Sequence, residues 1–213
     1  MAQKSAPAPV AADPGAEPSV KAADAYHHGD LRAALIGAAR EALETSAPEA
    51  ITLKSLAVRL GVSQPAPYRH FQNREALLNA VAADGFARFH EALIAARDTA
   101  AEGERFEQAC LAYLAFGRAN MGVYRLMFAS RLATSDDATL EHASHAAFDF
   151  LLQGAAHYAG PEQAYVTAVW IWSTLHGLVM LEAERLGAGP AKSQATPEAV
   201  VRQMIGTLKT LHG

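Results

Sequence analysis

Apolar residues recur three and four positions apart through most of the chain from residue 30 onward, the spacing typical of helices that bury one face. No segment alternates apolar and polar residues with the period of two expected of a strand. We therefore predict an all-α protein. The predicted helices run from Asp30 to Ser46, from Thr52 to about Leu60, from Asn73 to about Arg97, and over about 104–119, 136–158, 161–187 and 196–212.

The stretch from Thr52 to Phe71 has the spacing of two short helices joined by a tight turn. Thr52 is a residue type that caps a helix, and Gly61 suits the left-handed backbone at which the first helix must end. Ser63 is placed to cap a second helix that continues to Phe71. Pro67 removes a backbone amide inside that second helix, so we expect its first turn to be tight or irregular. The pattern predicts a helix-turn-helix, which inserts its second helix into DNA.

This part of the chain resembles the DNA-binding domain of TetR-family transcriptional regulators. The likeness covers about residues 26–80 and includes an opening helix, the helix-turn-helix and the residues that follow it. Its most specific positions here are Tyr68, His70, Phe71, Arg74, Glu75 and Leu77. Two positions depart from the family pattern, which usually has lysine in place of Arg74 and a leucine or similar residue in place of Pro67.

The resemblance and the residue chemistry together indicate which side chains contact DNA. We expect Gln64 and Ala66 to lie near base edges, with Arg69 as a further candidate. The phosphate contacts are assigned to the amino end of the second helix at Ser63 and to Thr52, Tyr68, His70 and Arg74. Phe71 is expected to pack inward.

Charge is distributed unevenly along the chain, whose formal net charge is −4. Residues 26–74 hold six Lys/Arg against four Asp/Glu, whereas residues from 75 onward hold ten against fifteen. We therefore divide the chain into an N-terminal three-helix DNA-binding domain over 26–74 and a helical ligand-binding and dimerisation domain over 75–213. Residues 1–25 are rich in Ala and Pro and are predicted to be a disordered tail. The lone cysteine, Cys110, is typical of a cytoplasmic protein.

The family resemblance implies a cavity for a small-molecule effector in the second domain, where ligand binding would move the long helix after Asn73 and separate the two DNA-reading heads. Aromatic and polarizable residues are frequent there. The candidate lining residues are Phe86, Phe89, Phe106, Tyr113, Phe116, Tyr124, Met127, Phe128, Phe148, Trp170 and His176.

The last two helices are predicted to join two copies of the chain. In the final helix, Val201, Met204, Leu208 and Leu211 repeat at coiled-coil spacing, which suggests a partner. In the TetR family the corresponding helices form a four-helix dimer interface, which the resemblance places at about 161–187 and 196–212. The run from Trp172 to Leu181 also resembles the tryptophan-histidine-glycine type of C-terminal domain. Residues 164–181 lack Asp, Glu, Lys and Arg, but polar residues inside the run and the absence of a basic flank on its amino side favour a helix buried nearly all round over a membrane span.

Enzyme and metal signatures are weak. The sequence has no Gly-rich phosphate loop, no serine nucleophile in a strand-turn-helix setting and no HExxH motif. Glu141, His142 and His145 are spaced to hold a metal but lack matched further ligands, so no metal and no cofactor are predicted. The favoured hypothesis is a ligand-responsive repressor that binds a palindromic operator in double-stranded DNA as a homodimer. The alternatives are a helical metal-binding or small-molecule-binding protein, or an adaptor without DNA-directed regulation.

Overall fold

The computed structural model describes residues 30–129, 136–185 and 195–210, and within them it confirms an all-α protein with no strand. The α-helices are α1 (Leu31–Leu43), α2 (Leu53–Arg59), α3 (Arg74–Thr99), α4 (Arg105–Ala119), α5 (Met121–Met127), α6 (Ala138–Ala183) and α7 (Pro197–Thr210). Single 3-10 turns occur at Pro48–Ala50, Pro67–Arg69 and Glu102–Glu104. The predicted tail over 1–25 lies outside the described residues.

The first half of the helix-turn-helix forms as the sequence predicts. Thr52 caps α2, because its Oγ1 accepts the Ser55 amide at 3.0 Å and the Ser55 Oγ accepts the Thr52 amide at 3.1 Å. Gly61 has φ +67°, the left-handed backbone that ends the helix. Leu53, Leu56 and Ala57 form the buried face of α2, and the helix packs against α1.

The predicted second helix from Ser63 to Phe71 is wrong in extent, since the structure has a turn followed by the 3-10 turn Pro67–Arg69. Proline has no amide to donate to the Ser63 carbonyl, which instead accepts the Ala66 amide at 3.0 Å. Ala66 and Pro67 then accept the amides of Arg69 and His70 at 3.2 and 3.0 Å. The irregular turn expected at Pro67 is therefore confirmed.

Helix α3 is the central element of residues 31–213, which form one compact unit. Asn73 caps it as predicted, its Oδ1 accepting the Ala76 amide at 2.8 Å. The helix packs against α1 at its start and against α4, α5 and α6 farther along. The predicted domain boundary between residues 74 and 75 falls in its first turn and stays a prediction.

Helix α6 is two arms that meet at a break, as the sequence predicts. Gly160 has φ 70° and ψ 167°, and Pro161 begins the second arm, so residues 138–159 and 161–183 are separate helical segments. The second arm was expected to be buried nearly all round, and this is wrong within one subunit. Its buried face is narrow, while large apolar side chains remain exposed on the rest of it. By length and composition α6 is also the one described helix that could cross a membrane.

Helix α7 buries its apolar stripe inside its own subunit. Val201, Met204 and Leu208 were assigned from their spacing to a partner interface, but they are at most 4% exposed and the helix packs on α4 and α6. Leu211, the last member of the predicted stripe, lies outside the described residues. Any unpartnered apolar surface at this end of the described chain therefore belongs to α6.

Candidate DNA-binding surface and ligand cavity

The turn that follows α2 presents polar side chains outward from an apolar base. Pro67 and Phe71 are buried, and Phe71 is 3% exposed. The predicted DNA-contacting residues on the outer side are Ser63, Gln64, Tyr68, Arg69 and His70, all exposed, with Ala66 half-buried between them. Tyr68 is 56% exposed, which is high for a large aromatic side chain. Although no regular second helix forms, Ser63, Gln64, Tyr68, Arg69 and His70 are all exposed in this turn.

Arg74 has a role inside the fold that the sequence did not indicate. Its Nε donates to the Ile51 carbonyl at 2.9 Å, and its guanidinium also donates to the carbonyl of Pro48. These bonds join the first turn of α3 to the segment that precedes α2. The side chain is half-buried. Arg74 therefore holds the two ends of the helix-turn-helix together, whatever it does at a phosphate.

Other basic side chains also lie on the described surface of this region. Arg32 stands over the Phe71 ring, its Cζ 5.4 Å from the ring centroid. Lys54 and Arg69 are exposed and form no ion pair with the described residues, whereas Arg59 is paired with Glu41 at 2.7 Å. Arg32 and Lys54 were not among the predicted DNA contacts, although their position in the first two helices was a usable signal.

A cavity of about 470 Å³ lies among α3, α4, α5 and both arms of α6. This falls in the range of about 300–1,000 Å³ common for ligand pockets. The predicted residues that line it are Phe86, Phe89, Tyr113, Met127, Phe128, Phe148 and His176. The lining residues that sequence reasoning missed are Ala129, Leu140, Ser144, His145, Ala147, Leu151 and Trp172.

The remaining predicted residues lie elsewhere. Phe106 lines a smaller cavity of about 200 Å³. Phe116 packs edge-to-face on Phe89 with ring centroids 5.2 Å apart, and Tyr124 is fully buried behind the cavity wall. Trp170 is 41% exposed and faces away from the cavity that Trp172 lines. Residues two positions apart on a helix point in nearly opposite directions. Choosing between these two tryptophans therefore required knowing which face of the helix is buried.

A chain of hydrogen bonds runs through the polar side of this cavity. The hydroxyls of Tyr113 and Tyr124 are 3.0 Å apart, and the Tyr124 hydroxyl is 2.8 Å from Nδ1 of His176. Burial raises the pKa of both tyrosines and lowers the pKa of His176 from its ordinary value near 6.5. All three side chains are therefore neutral at pH 7.

Helix α5 connects this cavity to the helix-turn-helix. At its amino end, the Glu44 carboxylate accepts the amides of Gly122 and Val123 at 3.2 and 3.4 Å. Gly122 lies so close to α1 that a Cβ there would be 2.1 Å from the Leu43 carbonyl oxygen. At its carboxyl end, Met127 lines the cavity. One short helix thus touches both the end of α1 and the cavity.

The titratable side chains of the described residues outside these two regions form no second site. Among the described residues, no group of three or more His, Cys, Asp or Glu side chains is placed to hold a metal ion. Cys110 is 1% exposed, and burial raises the pKa of its thiol, which makes the thiolate scarce. The exposed polar turn after α2 and the large cavity are therefore the described regions that suggest function.

These features define a helical protein with an N-terminal helix-turn-helix and a separate cavity, the organisation of a regulator. Residues 35–81 match the family of bacterial regulatory proteins described as the tetR family, and residues 106–208 match the domain described as "Tetracyclin repressor-like, C-terminal domain". The chain belongs to the TetR family. The tryptophan-histidine-glycine subclass stays a prediction.

Similar proteins agree with this assignment. The class D tetracycline repressor protein of Escherichia coli is 40% identical over 60 residues, 28% of each chain. The class A tetracycline repressor protein from transposon 1721 of Escherichia coli is 36% identical over 94 residues, 41% of this chain and 44% of that protein. The matched segments thus span less than half the length of these relatives.

Solved structures match over much more of the chain. A protein of unknown function from Rhodococcus sp. RHA1 is 32% identical with a TM-score of 0.75, over 88% of this chain and 97% of that chain. A TetR variant of Acinetobacter baumannii AYE, solved in complex with minocycline, is 20% identical with a TM-score of 0.53, over 85% of this chain and 98% of that one. The second likeness concerns the fold alone.

Proposed function

We propose that this protein is a cytoplasmic, ligand-responsive transcriptional repressor that binds a palindromic operator as a homodimer and leaves it when a small molecule enters the cavity. The observation that carries the proposal is the position of α5, whose amino end is bonded to α1 and whose carboxyl end lines the cavity. A change at the cavity therefore has a direct mechanical route to the DNA-binding head.

The DNA-binding part of the proposal uses the outward side of the turn after α2. Gln64 and Ala66 are proposed to meet base edges in the major groove, together with Arg69. The exposed hydroxyl of Tyr68 and the imidazole of His70 are proposed to hold phosphates. The exposure of Gln64, Tyr68, Arg69 and His70 in this turn supports the proposal.

Two of the residues proposed to contact phosphate, Thr52 and Arg74, also form hydrogen bonds inside the fold. The Thr52 hydroxyl is already bonded to the Ser55 amide, so its proposed contribution comes with the exposed amino end of α2. Two of the guanidinium donors of Arg74 are bonded to backbone carbonyls. Arg74 is proposed to orient the turn, with its remaining N–H groups available to a phosphate, and Ser63 is proposed to contribute at the start of the turn.

The dimer is proposed to form through the second arm of α6 and through α7, at about 161–187 and 196–212. Tyr165, Val166, Trp170 and Leu181 are between 41% and 68% exposed on that arm of α6. Exposed apolar side chains grouped on one helix are typical of a protein-protein interface. Two copies related by a twofold axis would place two heads about 34–36 Å apart on successive turns of DNA.

Selection of bound sequences from a random DNA pool tests the proposal in one experiment. The expected result is a palindrome with half-site centres separated by about one helical turn. Enrichment of a single unrepeated half-site would contradict the dimer, and the absence of any enriched sequence would favour the adaptor alternative. Operator affinity is then measured with a panel of small molecules, of which at least one is expected to weaken it.

A further inference from the structure

The chemistry of the cavity wall indicates which kind of molecule it accepts. Its lining is dominated by aromatic and aliphatic side chains from five helical segments. None of the described residues that line it is Asp, Glu, Lys or Arg. A charged ligand would lose its hydration on entering and find no carboxylate, ammonium or guanidinium group among these lining residues, which is strongly unfavourable. The cavity therefore favours an uncharged compound.

The hydrogen bonds among Tyr113, Tyr124 and His176 determine which nitrogen of His176 carries the hydrogen. Tyr113 and Tyr124 each have one hydroxyl hydrogen, and both are deeply buried. If His176 donated from Nδ1 to Tyr124, the hydroxyl hydrogen of Tyr113 would have no acceptor among these three side chains, which is costly in a buried site. If Tyr113 donates to Tyr124 and Tyr124 donates to Nδ1, every hydroxyl hydrogen is satisfied. In that arrangement the hydrogen bonds run from Tyr113 through Tyr124 and end at Nδ1 of His176.

The neutral ring of His176 consequently carries its hydrogen on Nε2. Nδ1 is turned toward Tyr124, which does not line the cavity, so Nε2 is the nitrogen left to face it. Nε2 has no hydrogen-bond partner among the described residues. On the first arm of α6, the Ser144 hydroxyl donates to the Glu141 carbonyl at 2.9 Å. Its oxygen can therefore only accept a hydrogen bond from a ligand in the cavity. His145, an exposed residue, brings a second imidazole to the lining. The wall thus offers an oriented donor at His176 and an acceptor at Ser144 among mainly aromatic side chains.

We propose, building on the ligand-responsive function above, that the cavity selects an uncharged, mainly aromatic compound whose carbonyl oxygen accepts a hydrogen bond from Nε2–H of His176. The rings of Phe128 and Trp172, whose centroids lie 4.9 and 6.2 Å from that of His176, would pack against the aromatic part beside the carbonyl. Edge-to-face and offset contacts between such rings add to the gain from burial.

Three matched probes test this on the full-length protein by calorimetry. Benzophenone is uncharged, aromatic and carries a carbonyl, diphenylmethane lacks only the carbonyl oxygen, and 4-benzoylbenzoate adds a carboxylate. Benzophenone is expected to bind about threefold to tenfold more tightly than diphenylmethane, the value of one neutral hydrogen bond. 4-Benzoylbenzoate is expected to bind at least about tenfold more weakly than benzophenone because its charge is unpaired. Equal binding of the first two, tightest binding of the carboxylate, or no binding of any probe would overturn the proposal.

Variants of the donor make the assignment specific. His176→Phe is expected to abolish the preference for benzophenone over diphenylmethane while leaving diphenylmethane binding within about twofold. Retained binding of diphenylmethane shows that the variant cavity is folded. His142→Phe is the matched control, because His142 is exposed on α6 and does not line the cavity. A preference that survives His176→Phe, or one that His142→Phe also removes, would contradict the role of Nε2.

Failure of this inference is separable from failure of the proposed function. Operator binding by the same preparations is measured by DNA retardation without any probe. If the protein retards its operator but shows no carbonyl preference, the ligand class is wrong and the DNA-binding function stands. If it binds the probes as expected but no DNA, the cavity assignment stands and the repressor function is wrong.

Discussion

At the residue scale, Pro67 shapes the DNA-facing turn. Because its amide hydrogen is missing, the backbone hydrogen bonds of this segment join residues three apart, as in a 3-10 helix, in place of four apart. Its buried ring lies in the base of the turn together with Phe71. The neighbouring side chains, Gln64 and Tyr68, are left exposed on the outside. Their different chemistry leads to different expected effects on DNA binding.

Tyr68→Phe removes one hydroxyl from a residue proposed to contact phosphate. Because every DNA sequence has the same backbone, affinity for operator and unrelated DNA should fall by the same factor, about threefold to tenfold. The slope of affinity against salt concentration should not change, since the phenol is uncharged. Fluorescence anisotropy with both DNAs at several salt concentrations measures this, and a loss confined to the operator would contradict the phosphate assignment.

Gln64→Ala removes a side chain proposed to contact a base. Discrimination between the operator and a site altered in one base pair should fall by about 1–3 kcal/mol at one position, while affinity for unrelated DNA stays nearly constant. Gln72→Ala is the matched control, because Gln72 is also exposed nearby and has no assigned contact. Unchanged discrimination in Gln64→Ala would remove this residue from the proposed base contacts.

At the scale of elements, α5 is the part of the fold best placed to transmit a signal. It is only seven residues long, and its contacts with α1, α3 and the cavity wall determine its position. Gly85 in α3 allows the close approach, since a Cβ there would be 2.7 Å from Val123 and 2.9 Å from Met127. A small displacement of α5 by a ligand would therefore change its contacts with both α1 and α3.

Gly122→Ala tests the contact between α5 and α1. The added methyl group would overlap the Leu43 carbonyl, so α5 must shift, and we expect a loss of about 1–3 kcal/mol in the free energy of unfolding in urea. Operator affinity without any ligand should fall as well. In Gly37→Ala nothing lies within 4 Å of the new Cβ, and the helix should gain up to about 1 kcal/mol. Equal stability of the two variants would show that α5 does not press on α1.

At the scale of the whole molecule, the second arm of α6 decides how subunits associate. The core of the described chain is one continuous apolar cluster that includes residues of both the head and the body. The exposed apolar side chains of α6 lie outside that cluster. They are the surface by which a second subunit would gain burial, whereas α7 has already used its apolar stripe internally.

Val166→Asp places a charge in the proposed dimer interface. The aspartate would be desolvated between subunits, so sedimentation should show a shift from dimer to monomer, and operator affinity should fall at least about tenfold. Val58→Asp is a matched control in α2, because Val58 is 70% exposed and Val166 is 68% exposed. That variant should keep the mass of the unmodified protein. A dimer that persists in Val166→Asp would move the interface elsewhere.

The features that could be predicted from sequence are those determined within one or two turns of the chain. The caps at Thr52 and Asn73, the left-handed Gly61 and the break at Gly160 each depend on the chemistry of a residue and its nearest neighbours. The all-α fold follows from the same local periodicity. Even the distortion at Pro67 was predictable, because a missing amide acts on its own helix turn.

Contacts between distant segments were decided by the tertiary structure. Periodicity shows that a helix has an apolar face but not what covers it, so it could not tell that α7 buries its stripe against α4, or that Trp172 rather than Trp170 lines the cavity. The Tyr124–His176 hydrogen bond joins residues 52 positions apart. Such pairings arise only when all helices have packed together, since each depends on the orientation of the others.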